Sequence, residues 1–327
     1  PEDVLQKGRL APGRMVMVDT AQRRVLNDNE IKAAVSRRRP YRRWLEANRI
    51  ELKGLYQVPA PLAVDHARLR ERQWVFGCTR EELTMILAPM VENAQEPIGS
   101  MGNDQALAVL SERPQLLYGY FKQLFAQVTN PPIDPYRESL VMSLMAFTGR
   151  EGNLLDETPE HCRQIKLAHP VMTNDDMARL RVLDLAGYRS CVLPILFPAD
   201  AGPRGLEPAL EELGRAAEAR VDEGFSFLVL SDREADERRA PIPALLATAA
   251  VHHHLVAAQK RHLTGLFVET AEAREVMHFA TLIGYGASAV NPWLALDTIT
   301  DLHATGKVDA SLTLEAAVEH YVTAIRK

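Results

Sequence analysis

The chain has 327 residues, 46% hydrophobic and 25% charged, enough for two average domains or one large α/β domain with an extension. A core of that size needs neither disulfides nor a metal as staples. A net charge of -5 and a pI near 6.1 exclude a global attraction to nucleic acid or acidic membrane, and no apolar run reaches the ~20 residues of a spanning helix. Three cysteines, Cys78, Cys162 and Cys191, form no CxxC pair or cluster set, which fits a reducing cytosol. The expected location is therefore cytoplasmic. No signal-peptide pattern opens the chain, and the first residue, Pro1, suggests an excised piece or a processed start.

Residues 14–19, "RMVMVD", alternate as a short strand, and "DNEIKAAVSRR" follows as a helix with Asp28 as its expected cap, interrupted by Pro40. The basic run "SRRRPYRRWLEANR" reads as a charged helix face with Tyr41 and Trp44 packed beneath, in preference to a localisation signal or nucleic-acid arm. "LKGLYQVPAPLAVD" looks like a linker. From Thr79, "TREELTMILAPMVENA" opens a helix on a capping box, Thr79 with Glu82. "EPIGSMGND" breaks it, "QALAVLS" and "PQLLYGYFKQLFAQV" resume as helices, and "TNPPIDPYRE" breaks again. Residues 149–165 are turn-rich.

The second half is more regular. Apolar runs at 191–197, 225–231, 265–270 and 287–291 alternate with amphipathic stretches at 206–222, 243–262 and 271–283. This β/α repetition predicts a parallel sheet with right-handed crossovers. Periodicity does not say whether it closes into a barrel.

Four of the ten histidines, His252, His253, His254 and His262, crowd the helix at 243–262. Three consecutive helical residues point about 100° apart and cannot share one ion, and a helical metal pair needs i, i+3 or i, i+4 spacing. No metal site is expected; one or two of these rings are expected to hydrogen-bond buried carbonyls at the helix–sheet seam.

In a parallel α/β sheet chemistry gathers at the C-terminal strand ends, which here offer Ser231, Asp232, Arg233, Glu269, Arg274 and Asn291. Asp232 and Glu269 are a candidate acid/base pair, joined by His278 in a free-standing enzyme. The plainer reading has Ser231, Asp232 and Thr270 capping turns while Arg233 and Arg274 pair with carboxylates. "GSMGND" lacks the GxGxxG pattern and the P-loop lysine, so it is a weak phosphate nest and a better close-approach loop projecting Met101. "VTNPPID" is a second stiff loop, its prolines fixing two φ angles and presenting Thr129, Asn130 and Ile133. GxSxG and HExxH are absent. An interaction module without a channel is a further reading.

The runs "PGRMVMVDT", "EIKAAVSRRRPYRRW", "FGCTREELTMILAPMVENAQEPIGSMGND", "LFAQVTNPPIDPYRESLVMSL", "AVHHHL" and "EAREVMHFATLIGYGASAVNPWLALDTI" occur in order along nearly the whole chain. Together they resemble the central region of glutamate synthases. Cys78, Met277 and the stretch 199–223 depart from that pattern. The resemblance implies the tail of a glutamine amidotransferase domain over 1–52, a central domain over 53–315, and over 316–327 the start of a linker towards an FMN-binding barrel. It implies an α/β fold, an incomplete TIM-barrel-like parallel β/α domain with an N-terminal strand–helix extension. The implied role is a non-catalytic connector lining an ammonia tunnel. Met101, Thr129 and Ile133 match the family's tunnel lining, with Gly102 and Asn103 near flavin and 2-oxoglutarate. Neutral ammonia suits such a bore of thioether, methyl and a lone hydroxyl. No cofactor is expected in this chain; the parent enzyme implies FMN, a [3Fe–4S] cluster and, if NADPH-dependent, FAD on a small subunit. The implied partners are the amidotransferase and FMN-binding domains, with a small NADPH-oxidising subunit or ferredoxin. Neither nucleic acid nor membrane is among them.

Overall fold

A computed structural model describes residues 2–4, 7–52, 63–97, 106–122, 133, 135–185 and 187–327. At the N-terminus, strands β1 (Met17–Asp19) and β2 (Arg24–Leu26) form an antiparallel hairpin. Helix α1 (Asp28–Ser36) is capped by Asn27, not by Asp28: Asn27 accepts from the Glu30 amide, and Glu30 returns a bond to the Asn27 amide. Asp28 is instead buried, held by Arg14 at 2.8 Å and Lys32 at 2.9 Å. Pro40 starts α2 (Tyr41–Asn48), where Tyr41 and Trp44 meet edge to face at 5.7 Å, both half-buried.

After α3 (Leu69–Val75), the expected Thr79–Glu82 capping box opens α4 (Arg80–Glu82). The run continues through a π turn over Leu83–Leu87 into α5 (Ala88–Asn93). The next apolar runs differ from expectation. Their described parts are 3₁₀ turns, Ala108–Leu110 and Leu117–Phe121. Helix α6 (Pro135–Val141) precedes β3 (Ala146–Gly149), which pairs antiparallel with β4 (Gln164–Leu167) across the turn-rich stretch.

Helix α7 (Asn174–Arg181) leads into β5 (Asp184–Leu185) and β6 (Tyr188–Pro194). The expected strand at 191–197 splits: its end becomes β7 (Leu196–Pro198), paired with β9 (Arg239–Pro241). Pro194 is the reason, since it ends one ladder by removing a donor. Helix α8 (Leu206–Asp222), β8 (Phe227–Ser231), α9 (Ala244–Ala257), β10 (Gly265–Glu269), α10 (Val276–Gly284) and β11 (Ala289–Asn291) follow in the expected alternation. Helices α11 (Trp293–Ala304) and α12 (Leu314–Arg326) complete the chain.

The sheet runs β11-β10-β8-β6-β5, with β6, β8, β10 and β11 parallel and β5 antiparallel at the edge. Beyond β11, Val171 makes a parallel bridge to Val290. No closed barrel forms among the described residues.

Both faces are buried, which is why the strand segments read as continuous apolar runs. Leu228, Leu230, Leu266, Val268 and Val290 face one core with residues of α8, α9, α10 and α12. Phe227, Val229, Phe267 and Ala289 face a second, filled by Ile165 and Leu167 of β4 and by Met177 and Leu180 of α7. No described helix is long and apolar enough to cross a membrane.

Candidate functional site

The C-terminal strand ends gather the polar residues expected there and bond them to one another. Glu269, 2% exposed at the end of β10, accepts from Ser231 at 2.5 Å and takes both its oxygens to Arg181 of α7, at 2.8 and 2.6 Å. Arg233 stands 3.9 Å from Glu269 and 3.6 Å from Asp297 of α11. Its guanidinium also lies 4.8 Å from the Trp293 ring centre, with Arg72 at 5.5 Å from the same ring. Asn174 donates to Asp297, and Asn291 donates to Met172 O and to Asn174.

Asp232 is 1% exposed and accepts from the Thr270 hydroxyl at 2.6 Å, the Ala271 amide at 3.0 Å and the Trp293 indole at 2.7 Å. Burial raises its pKa to about 6 against those three bonds. Glu272 caps α9 through the Ala244 amide at 3.1 Å. Burial, then the nearby Asp232 charge, push its pKa to about 7. The Tyr118 hydroxyl lies close enough to interact with Glu272 but makes no hydrogen bond of full geometry. His278, stacked 4.4 Å from Tyr118, accepts the Arg274 and Glu275 amides on Nδ1, and burial lowers its pKa to about 3. Arg274 donates to Glu82 at 3.0 Å and to the Phe76 and Gly77 carbonyls, tying the α3–α4 corner to the sheet.

The plainer sequence reading therefore describes this rim: Ser231, Asp232 and Thr270 hold turns, and Arg233 and Arg274 face carboxylates. Asp232, Glu269 and His278 are engaged in separate sets of hydrogen bonds: Asp232 with Thr270, Ala271 and Trp293, Glu269 with Ser231 and Arg181, and His278 with the Arg274 and Glu275 amides.

Sequence reasoning missed Arg181, Asn174, Asp297 and Glu272. Asp297 carried a signal, as one of two acids in the largely apolar segment "PWLALDTITDL". Arg181 carried none, since only folding brings α7 to the end of β10.

The consecutive histidines take different partners, although the His252 and His253 rings meet edge to face at 5.2 Å. His252 accepts from Arg261 at 3.1 Å, His254 bonds Glu218 at 2.8 Å, and His253 and His262 are exposed. Their partners are side chains, not the expected buried carbonyls. The rings that do bond carbonyls are His303, to Leu312, and His320, to Val91. Among the described residues no three His, Cys, Asp or Glu side chains gather as a metal set. Of the tunnel residues inferred from sequence, Met101, Gly102, Asn103 and Thr129 lie outside the described residues; Ile133 is described and is exposed.

Comparison with known proteins places the chain. A family model described as the glutamate synthase central domain matches residues 71–327. The chain belongs to the glutamate synthase central domain family. A second model, class-II glutamine amidotransferases, matches residues 1–44. The chain is 42% identical over 323 residues to a glutamate synthase [NADPH] large chain of Bacillus subtilis, covering 98% of this chain and 20% of that one. It is 39% identical over 336 residues to a glutamate synthase [NADH] of Schizosaccharomyces pombe, covering 99% and 16%. It is 42% identical over 301 residues to a ferredoxin-dependent glutamate synthase 2 of Synechocystis, covering 91% and 19%. The central-domain chain thus spans a fifth or less of the length of these relatives. A solved flavocytochrome b2 variant overlays 41% of this chain and 29% of its own at 18% identity and a TM-score of 0.28, too weak a likeness to carry an argument.

Proposed function

We propose that this chain is the connecting domain of a glutamate synthase, joining a glutaminase domain to an FMN-binding synthase domain and lining the passage that carries ammonia between them. In this reading residues 1–52 are the tail of the amidotransferase domain, 53–315 the central domain and 316–327 the start of the linker to the flavin barrel. The parallel sheet is then an incomplete TIM-barrel-like unit, acting in the cytoplasm. Met101, Thr129 and Ile133 line the bore, and Gly102 and Asn103 lie near flavin and 2-oxoglutarate. The full enzyme converts glutamine and 2-oxoglutarate to glutamate with FMN, a [3Fe–4S] cluster and electrons from a small FAD-bearing NADPH-oxidising subunit, from NADH or from ferredoxin. This part supplies walls and no reacting groups.

The observation that carries the reading is the similarity at 39–42% identity across 91–99% of the chain to three glutamate synthases named for different electron donors. A part shared across NADH, NADPH and ferredoxin dependence suits a role upstream of electron delivery. The rim supports it too, because its buried carboxylates are spent on internal bonds. Ammonia must cross as the neutral molecule, so a bore with few charges and little bulk water favours it over ammonium. The test is Met101→Trp in the complete enzyme. Glutaminase and ammonia-dependent activities are expected to persist while glutamine-dependent glutamate formation falls. Unchanged coupling between the two half-reactions would refute the tunnel role.

A further inference from the structure

At the end of the sheet opposite the Glu269 network, where β10 and β11 begin, an open cleft of about 490 Å³ lies between β3 and the C-terminal turns after α9. Arg261 lines it, half-buried. Its guanidinium donates to His252 Nδ1 at 3.1 Å and to the Thr264 and Gly286 carbonyls at 2.7 Å each, none of them a carboxylate. Three of its five N–H groups are used, leaving two for a ligand.

The cleft also holds a negative charge. Glu151 lines it, with an exposed side chain and a backbone N–H fixed to His262 O at 2.8 Å. Its charge reaches Arg261, yet no ion pair joins the two among the described residues. His252, accepting on Nδ1, carries its proton on Nε2 in the neutral form and so offers a further donor. Ser288 accepts the Leu266 amide at 3.2 Å and shares one hydrogen bond with Thr148 at 3.1 Å. Whichever hydroxyl donates within that pair, one hydroxyl proton remains.

These groups sit on bare backbone. A Cβ at Gly265 would stand 2.3 Å from Thr148 Oγ1, and one at Gly286, where φ is +111°, would stand 2.2 Å from His252 Nδ1. The two glycines therefore permit the close packing that fixes the polar wall. The rest of the cleft includes the exposed apolar faces of Phe147 and Val256.

We propose that this cleft binds a small apolar α-amino acid, its carboxylate on Arg261, its ammonium on Glu151 and its side chain against Phe147 and Val256. Separated fixed charges of opposite sign select a zwitterion. A simple anion would meet Glu151 unpaired, and a simple amine would meet Arg261. The site is independent of the ammonia passage and stands or falls without it.

The experiment places a thiol in the cleft by Val256→Cys in the intact protein and follows its alkylation by iodoacetamide, read by peptide mass spectrometry. L-valine is expected to suppress labelling saturably, whereas N-acetyl-L-valine and isobutylamine, each missing one charge, do not. Adding Glu151→Gln, whose exposed side chain supports no described hydrogen bond, is expected to raise the half-protecting L-valine concentration about tenfold, the loss of one charge-assisted contact. Labelling unaffected by L-valine, equal protection by N-acetyl-L-valine, or unchanged protection in Glu151→Gln would each overturn the proposal.

Discussion

Glu269, at 2% exposure, has Arg181 on both carboxylate oxygens and Ser231 donating to one. Removing a partner from a buried pair strands the other charge, which costs far more than the pair's net worth. Arg181→Ala is accordingly expected to lower unfolding free energy by about 3 kcal/mol, with Arg233 at 3.9 Å limiting the loss. Chemical denaturation measures it, and a loss within error would mean that Arg233 alone suffices. Glu272 allows a signed pH prediction. Its pKa rises from 4.5 to about 7, chiefly through burial, so between those values the folded chain holds a proton that the unfolded chain has released. Its contribution to stability is therefore complete below 4.5 and is lost as pH rises through 7. Glu272→Gln, which stays neutral and can still accept the Ala244 amide, should gain on the wild type across that window by on the order of 2–3 kcal/mol. A stability difference that stays constant with pH would show that Glu272 titrates normally.

Among elements, α8 and α9 pack where Gly214 meets His254, a Cβ at Gly214 standing 2.8 Å from Nδ1 and 2.9 Å from Cγ. Alanine would contribute about 1 kcal/mol of helix propensity. It would also displace the ring from Glu218, and overpacking at such a contact costs about 1–3 kcal/mol. Gly214→Ala is expected to lower the urea midpoint at unchanged slope; a raised midpoint would show that the helices separate freely. The β/α alternation of the second half was legible because strands buried on both faces, such as "FLVLS", leave continuous apolar runs between amphipathic helices. The β3–β4 hairpin was not, since its strands are four residues each and their partner, the Phe227–Phe267 face, lies far along the chain. The same limit hid Arg181, whereas the rim residues Asp232, Glu269 and Asn291 could be placed from strand ends alone. The Arg261 cleft escaped notice because its groups come from β3, α9 and the turns before β10 and β11. The histidine run drew attention to that helix, but its periodicity gave directions and not partners.

For the whole molecule, exposed apolar residues concentrate between 140 and 155, with Leu140 at 85%, Leu154 at 84% and Leu155 at 91% exposure. Such surface marks contact with other protein. Handled by itself at rising concentration, the chain is expected to self-associate, and Leu154→Asp with Leu155→Asp should reduce this in sedimentation velocity. Their effect on stability should stay within about 0.5 kcal/mol, as for exposed positions generally. Association unchanged by both substitutions would move the contact elsewhere. The sheet margins carry a different consequence. One margin is a two-residue antiparallel strand against Tyr188 and Arg189 of β6; the other is a single bridge from Val171. Stunted borders of this kind offer almost no unsatisfied ladder on which a stray strand could grow, so the parallel layer resists fibrillar recruitment even while neighbouring greasy patches invite reversible company.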